Sequence, residues 1–193
     1  MHYLVLTVIA LLGAMISVFT KKDKKAGSVL RTFLLWILAI NVGVMGVLGF
    51  ISHTFMADDV ALFIGWMPGS HFQFEVAIAN LMLGVLGFMC LWFEANVWFV
   101  TIVATTIFGW GAAYGHIKDI MLNHNYAPGN AGVPLYVDII APVVLIALFV
   151  AYKAVTCPCR TKTVAVAVKE KAKVAKPVTK KAKIAKAKKT KKK

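Results

Sequence analysis

Five long apolar runs, divided by short polar breaks, set the pattern of the chain. A helix that crosses a membrane needs about 20 mostly apolar residues, within about 17–25. Residues 3–20 (YLVLTVIALLGAMISVFT) and 32–52 (TFLLWILAINVGVMGVLGFIS) carry no charge. Residues 74–93 carry only Glu75, and 96–117 only His116. The fifth run, 134–155, holds Asp138 near one end and Lys153 near the other. These runs are too long for strands and do not alternate. The pattern predicts an all-α membrane protein, a bundle of five transmembrane helices within residues 1–156. Residues 58–69 (DDVALFIGWMPG) are too short to span; they fit a piece lying in the interface or an ordered loop.

Charge orients the bundle. The first run is followed by KKDKK and lacks a basic segment before it and a small-x-small cleavage site, so it reads as a span and not a secretory signal. Placing residues 21–31 in the cytoplasm puts the N-terminus outside. Alternation then puts 53–73 and 118–133 outside and the C-terminus inside, and the Lys and Arg clusters all fall inside. The expected location is the inner (plasma) membrane.

Composition agrees: 60% of residues are hydrophobic, only 16% are charged, and mean hydropathy is +0.75. The net charge of +14 belongs entirely to the end of the chain. Residues 1–156 balance seven basic against seven acidic residues, whereas 157–193 hold 15 basic residues and one acid, Glu170. The chain is an apolar body with a basic tail.

With this topology all five histidines, His2, His53, His71, His116 and His124, lie at the outer side. Asp58, Asp59, Glu75, Asp119 and Asp138 join them. Helical spacing lines up Ala39, Val42, Gly46, Gly49 and His53 on the second span. It aligns Gln73, Ala77, Asn80, Gly84 and Gly87 on the third, and Thr105, Gly109, Ala112, His116 and Asp119 on the fourth. Small residues let membrane helices approach and polar ones bond across the contact, so these stripes are expected packing seams. They also offer faces for a homo-oligomer.

Ser70 and Gln73 have capping-box spacing, which starts the third span near His71. Glu75 then sits early in that helix, where a carboxylate gains from the helix dipole. An ionisable group inside a membrane span is also a functional position by default. Facing His53 and His116, Glu75 would form a proton relay or, with imidazole and carboxylate ligands, hold a divalent metal. His71, Asn80, Asp119 and Asp138 complete the expected outer polar site. The loop HNYAPGNAGVPLYVD, 124–138, has turn chemistry at Pro128, Gly129, Asn130 and Gly132, and Pro134 suits a helix start. It would close over the site as a lid or serve as a tight connection.

The segments GSHFQFEVAIANL, GHI and HNYAPGNAG resemble an uncharacterised family of small bacterial integral membrane proteins. The resemblance rests on Gly69, Ser70, Phe72, Gln73, Phe74, Glu75, Val76, Ala79, Asn80 and Leu81, on Gly115, His116 and Ile117, and on Asn125 and Ala127 to Gly132. It covers roughly residues 30–152. It implies no activity, but it singles out Glu75, Asn80 and His116 as positions to test.

The tail, rich in Lys, Ala, Val and Thr, is too charged to bury a core and is expected to be disordered. In composition it is similar to the tails of bacterial linker-histone-like proteins. Anionic inner-leaflet lipid and nucleic acid are its two expected partners. Cys157 and Cys159 sit just inside the membrane as reduced thiols, as lipidation sites, or as two ligands of an incomplete soft-metal site. No Walker A, nucleophile-elbow, dinucleotide or haem-attachment motif is present. Three functions stay open. The first is a binding or transport-type protein with a proton- or metal-linked outer site. The second is a scaffold with a docking tail, and the third a b-haem redox protein using His53 and His116.

Overall fold

The computed structural model describes residues 2–156, and every regular element among them is helical. The basic tail, with Cys157 and Cys159, lies outside the described residues. In chain order the elements are α1 (His2–Thr20), α2 (Ala26–Ile37), a π-helical stretch (Leu38–Val44) and α3 (Met45–Phe55). Then come α4 (Ala57–Ile64), α5 (Phe72–Met89), α6 (Asn96–Asn123) and α7 (Val133–Thr156). α2, the π stretch and α3 form one continuous rod, Ala26–Phe55, so five helices are long and apolar enough to cross a membrane. That architecture is compatible with an integral membrane protein of five spans.

The expected boundaries shift where polar residues continue a helix. α6 runs to Asn123, past the expected end at 117, and stops at His124, whose φ of 52° is left-handed. The loop before α7 is correspondingly short. Residues 58–69 are in part a helix: α4 ends at Gly65, whose φ of 84° closes it. The start of α5 falls as expected, with His71 as its N-cap, but without the capping box. No side chain caps this end, and the Gln73 side chain instead donates to the Ala57 carbonyl of α4 at 2.5 Å. Gln73 thereby ties α5 to α4.

The second and third spans meet along their small residues. A Cβ on Gly46 would lie 2.4 Å from the Gly84 nitrogen, and one on Gly87 would lie 2.4 Å from the Gly43 nitrogen. Backbone meets backbone here, and only glycine permits it. The π stretch carries part of this contact through Gly43. It widens the turn by one residue and sends the Asn41 amide to the Thr7 hydroxyl of α1 at 2.6 Å. α1 joins through Ala10 and Ala14, both fully buried, and through Ser17, which accepts from the Trp36 indole.

The stripe on the fourth span goes elsewhere. A Cβ on Gly109 would meet the Asp138 carbonyl and the Pro142 ring of α7, so this face turns to α7. The two helices are held apart by side chains: Phe99 against Phe149, and Trp98 against Tyr152, at one end. That end also carries the core of Leu34, Leu38, Cys90, Trp98, Ile102 and Leu145 and the Arg31–Glu94 ion pair. The other end opens.

Candidate functional site

A cavity of about 290 Å³ lies between the α3–α5 contact and α7. Its wall takes Tyr3 and Thr7 from α1, Asn41 from the π stretch, and His53 from α3. Asn80 comes from α5, Thr105, Gly109, Ala112 and His116 from α6, and Asp138 and Pro142 from α7. Gly129 of the loop and Phe63, Ile64 and Trp66 close its rim. The volume is near the lower end of the ~300–1,000 Å³ typical of small-molecule sites.

His116 is held at Nδ1 and faces a carboxyl at Nε2. Asn130, 1% exposed, has its Nδ2 facing two carbonyls, Asn125 O at 2.8 Å and His116 O at 3.4 Å. Its Oδ1 therefore turns to the ring and accepts from His116 Nδ1–H at 2.6 Å. With that hydrogen placed, Nε2 carries the lone pair of the neutral ring, and Asp138 Oδ2 stands 3.7 Å from it. At this distance the two groups make no direct hydrogen bond, and a protonated His116 would face an ionised Asp138 as an ion pair.

The loop that holds Asn130 is built for the task. Asn125 Nδ2 donates to Ile64 O at 2.9 Å and to Asp119 Oδ2 at 2.6 Å, and Gly129 N donates to Phe63 O at 3.0 Å. A Cβ on Gly129 would come within 2.7 Å of that carbonyl, so glycine is required. Pro128 and Gly132 shape the turn between them: a Cβ on Gly132 would strike the Pro128 carbonyl. The loop thus clamps α6 to α4 and presents Asn130 to His116.

Pro142 adds a second polar feature. Lacking an N–H, it cannot bond the carbonyl four residues back, which is that of Asp138. Gly109 leaves that carbonyl uncovered from α6. Three buried polar atoms of the wall have no hydrogen-bond partner: Asn41 Oδ1, His53 Nδ1 and Thr105 Oγ1. Buried polar atoms are normally paired, so three around one cavity mark it as a place for a polar guest.

The expected site is assembled in part. His53, His116, Asn80 and Asp138 share the cavity. Glu75 does not: it is exposed on the far side of α5, in the first turn, where its carboxylate meets the helix dipole. Helical phase is the reason. Glu75 is two residues past Gln73 and two before Ala77, both buried against the neighbouring helices, so it points away from them. The proposed trio of Glu75, His53 and His116 is therefore not formed. Among the described residues no three of His, Cys, Asp or Glu come close enough to hold a metal ion. His71 is exposed, and Asp119 serves the loop through Asn123 and Asn125 instead of the cavity.

Asn41, Tyr3 and Pro142 were not singled out by the sequence, and Asn125 only among the residues of the family resemblance. Asn41 and Pro142 carried a signal, each being a polar or helix-breaking residue inside a span.

A family model described as a family of unknown function (DUF6790) matches residues 1–157. The chain belongs to this family. The match takes in α1 as well as the motif-bearing segments and ends where the basic tail begins. Comparison with curated proteins and with solved structures finds no match.

Proposed function

We propose that the protein is an integral membrane protein of the binding or transport type. Its proton-linked polar site is built on His116 and Asp138, with His53 and Asn80 in the same cavity. The observation that carries this reading is the His116–Asp138 pair: one tautomer selected by a buried Asn130, the other nitrogen facing a carboxyl across a cavity wall. A packing histidine needs neither the oriented amide nor the cavity. The interrupted helix at Pro142 supports the same reading, since broken spans are a common way to present backbone carbonyls at a membrane binding site.

Lys21, Lys22, Lys24 and Lys25 join α1 to α2 at the end away from the cavity. The positive-inside rule then orients the cavity outward, with the N-terminus outside and residues 157–193 in the cytoplasm of a cell bounded by this inner membrane. The tail's composition supports contact with anionic lipid or nucleic acid there.

The test is proton movement in liposomes holding the purified full chain and a pH-sensitive dye. The wild type is expected to dissipate an imposed pH gradient, or to do so when a solute is supplied, and Asp138→Asn and His116→Gln to lose this while remaining folded. Equal flux from wild type, both variants and empty liposomes, with every solute tried, would remove the proton-linked reading.

A further inference from the structure

We infer that the cavity takes a small organic ammonium ion, exchanged one for one against the proton held between His116 and Asp138. The inference rests on the proton-linked reading above and names its substrate class.

Charge comes first. Among the described residues the only acid on the wall is Asp138, and no Lys or Arg lines it. A guest that displaces the shared proton from Asp138 must bring a positive charge of its own to leave the cavity neutral. An anion would meet the carboxylate with no cation nearby, which low-dielectric surroundings make costly.

Hydrogen bonding points the same way. Several donors on the wall are engaged within the protein. Asn41 Nδ2 donates to Thr7, Asn80 Nδ2 to the Val76 carbonyl, and His116 Nδ1 to Asn130. The acceptors are left over: Asn41 Oδ1 without a partner, the Asp138 carboxyl, and the Asp138 carbonyl that Pro142 cannot reach. Thr105 Oγ1, also without a partner, can accept as well. A site of surplus acceptors wants a guest of donors, and an ammonium group has up to three and no acceptor.

Shape favours an organic cation over a bare metal ion. Tyr3 and Phe108 line the same cavity, and aromatic faces attract cations while covering apolar substituents. The volume of about 290 Å³ admits a few carbon atoms beside the charged head.

The exchange balances. As the ammonium enters, Asp138 becomes a full carboxylate, His116 Nε2 keeps its lone pair, and one proton leaves to water. The other titratable groups facing the pair are Tyr3 from α1, His53 from α3 and, beside His116 on α6, Asp119; among the described residues α4, α5 and the loop bring none to the cavity. Binding therefore strengthens as pH rises, by up to about tenfold per unit while the pair still holds its proton.

The experiment offers the detergent-purified full chain three molecules of similar size and different charge: ethylammonium, ethanol and acetate. Saturation-transfer NMR reads binding at about pH 5.5 and about pH 8, either side of the ordinary histidine value of about 6.5. Calorimetry in buffers of different ionisation enthalpy counts protons. Ethylammonium alone is expected to bind, more tightly at the higher pH, with one proton released. Asp138→Asn should weaken it at least tenfold and Glu75→Gln leave it unchanged. Equal binding of ethanol or acetate, displacement by equimolar sodium, or no binding of ethylammonium would overturn the inference. If His116 still titrates with Asp138 in those cases, the proton-linked reading survives alone. If it does not, both fall.

Discussion

The α3–α5 contact and the α6–α7 contact are both made by helices that carry small residues, yet they do opposite things. Between α3 and α5 the glycines face each other, and the backbones close until nothing larger fits. Between α6 and α7 the one glycine at the contact, Gly109, meets a proline and the Asp138 carbonyl, while aromatic pairs fill the space between the helices at the closed end. A small residue opposite a small residue makes a seam. A small residue opposite a polar one, with large residues holding the spacing, makes a cavity.

The largest effect should come from filling the seam. Gly46→Leu or Gly87→Leu places side-chain atoms where backbone atoms of the partner stand, and backbone cannot swing aside. Overpacking costs about 1–3 kcal/mol in ordinary cores and more against rigid neighbours. Loss of a monodisperse, cooperatively melting protein in detergent is expected. Gly111→Ala and Gly115→Ala lie on α6 with nothing within 4 Å of the added carbon. They should keep or raise the melting temperature, because alanine favours a helix by up to about 1 kcal/mol over glycine.

A smaller effect follows at the cavity. Asn130→Ala strips His116 Nδ1 and the Asn125 carbonyl of their partner, at about 1–3 kcal/mol. Hydrogen exchange should speed up across residues 124–132 and leave the α3–α5 seam as slow as before. Equal loosening of both would erase the distinction between them.

At the closed end the effects shrink further. Arg31 and Glu94 pair while each remains over a third exposed, so Arg31→Gln should cost no more than about 1 kcal/mol by thermal melting. Cys90 should show no reaction at all. It is fully buried, and its thiol bonds to Leu86 O and Thr101 Oγ1. With Cys157→Ser and Cys159→Ser in place, a membrane-permeant maleimide at neutral pH should label only unfolded protein. Labelling of the folded chain would mean that the end described as closed opens.

The spans were legible because apolar length is a property of contiguous sequence. The seam was legible too: i, i+3, i+7 spacing marked Gly46, Gly49, Ala77, Asn80, Gly84 and Gly87 before their contacts were known. What the spacing does not carry is the rotation of one helix against the next. Gln73 and Glu75 are two residues apart and differ by about half a turn, so one is buried and the other exposed. Glu75 and Asp138 are both ionisable residues in the first turns of a span, and the apolar pattern does not say which of them faces the bundle. The loop was recognised as turn chemistry, but Asn130 turns inward because Asn125 and Gly129 are anchored on α4, a contact 61 residues away in sequence. No local pattern announces such a contact.

The central claim is that His116 and Asp138 form the working pair and that Glu75 stands apart. The direct measurement is the nitrogen-15 NMR spectrum of the histidine rings across a pH titration, in the wild type, Asp138→Asn and Glu75→Gln. Nδ1 of His116 should stay protonated throughout while Nε2 changes state. Asp138→Asn should shift that transition, and Glu75→Gln should leave it in place. A transition that follows Glu75 and ignores Asp138 would contradict the account.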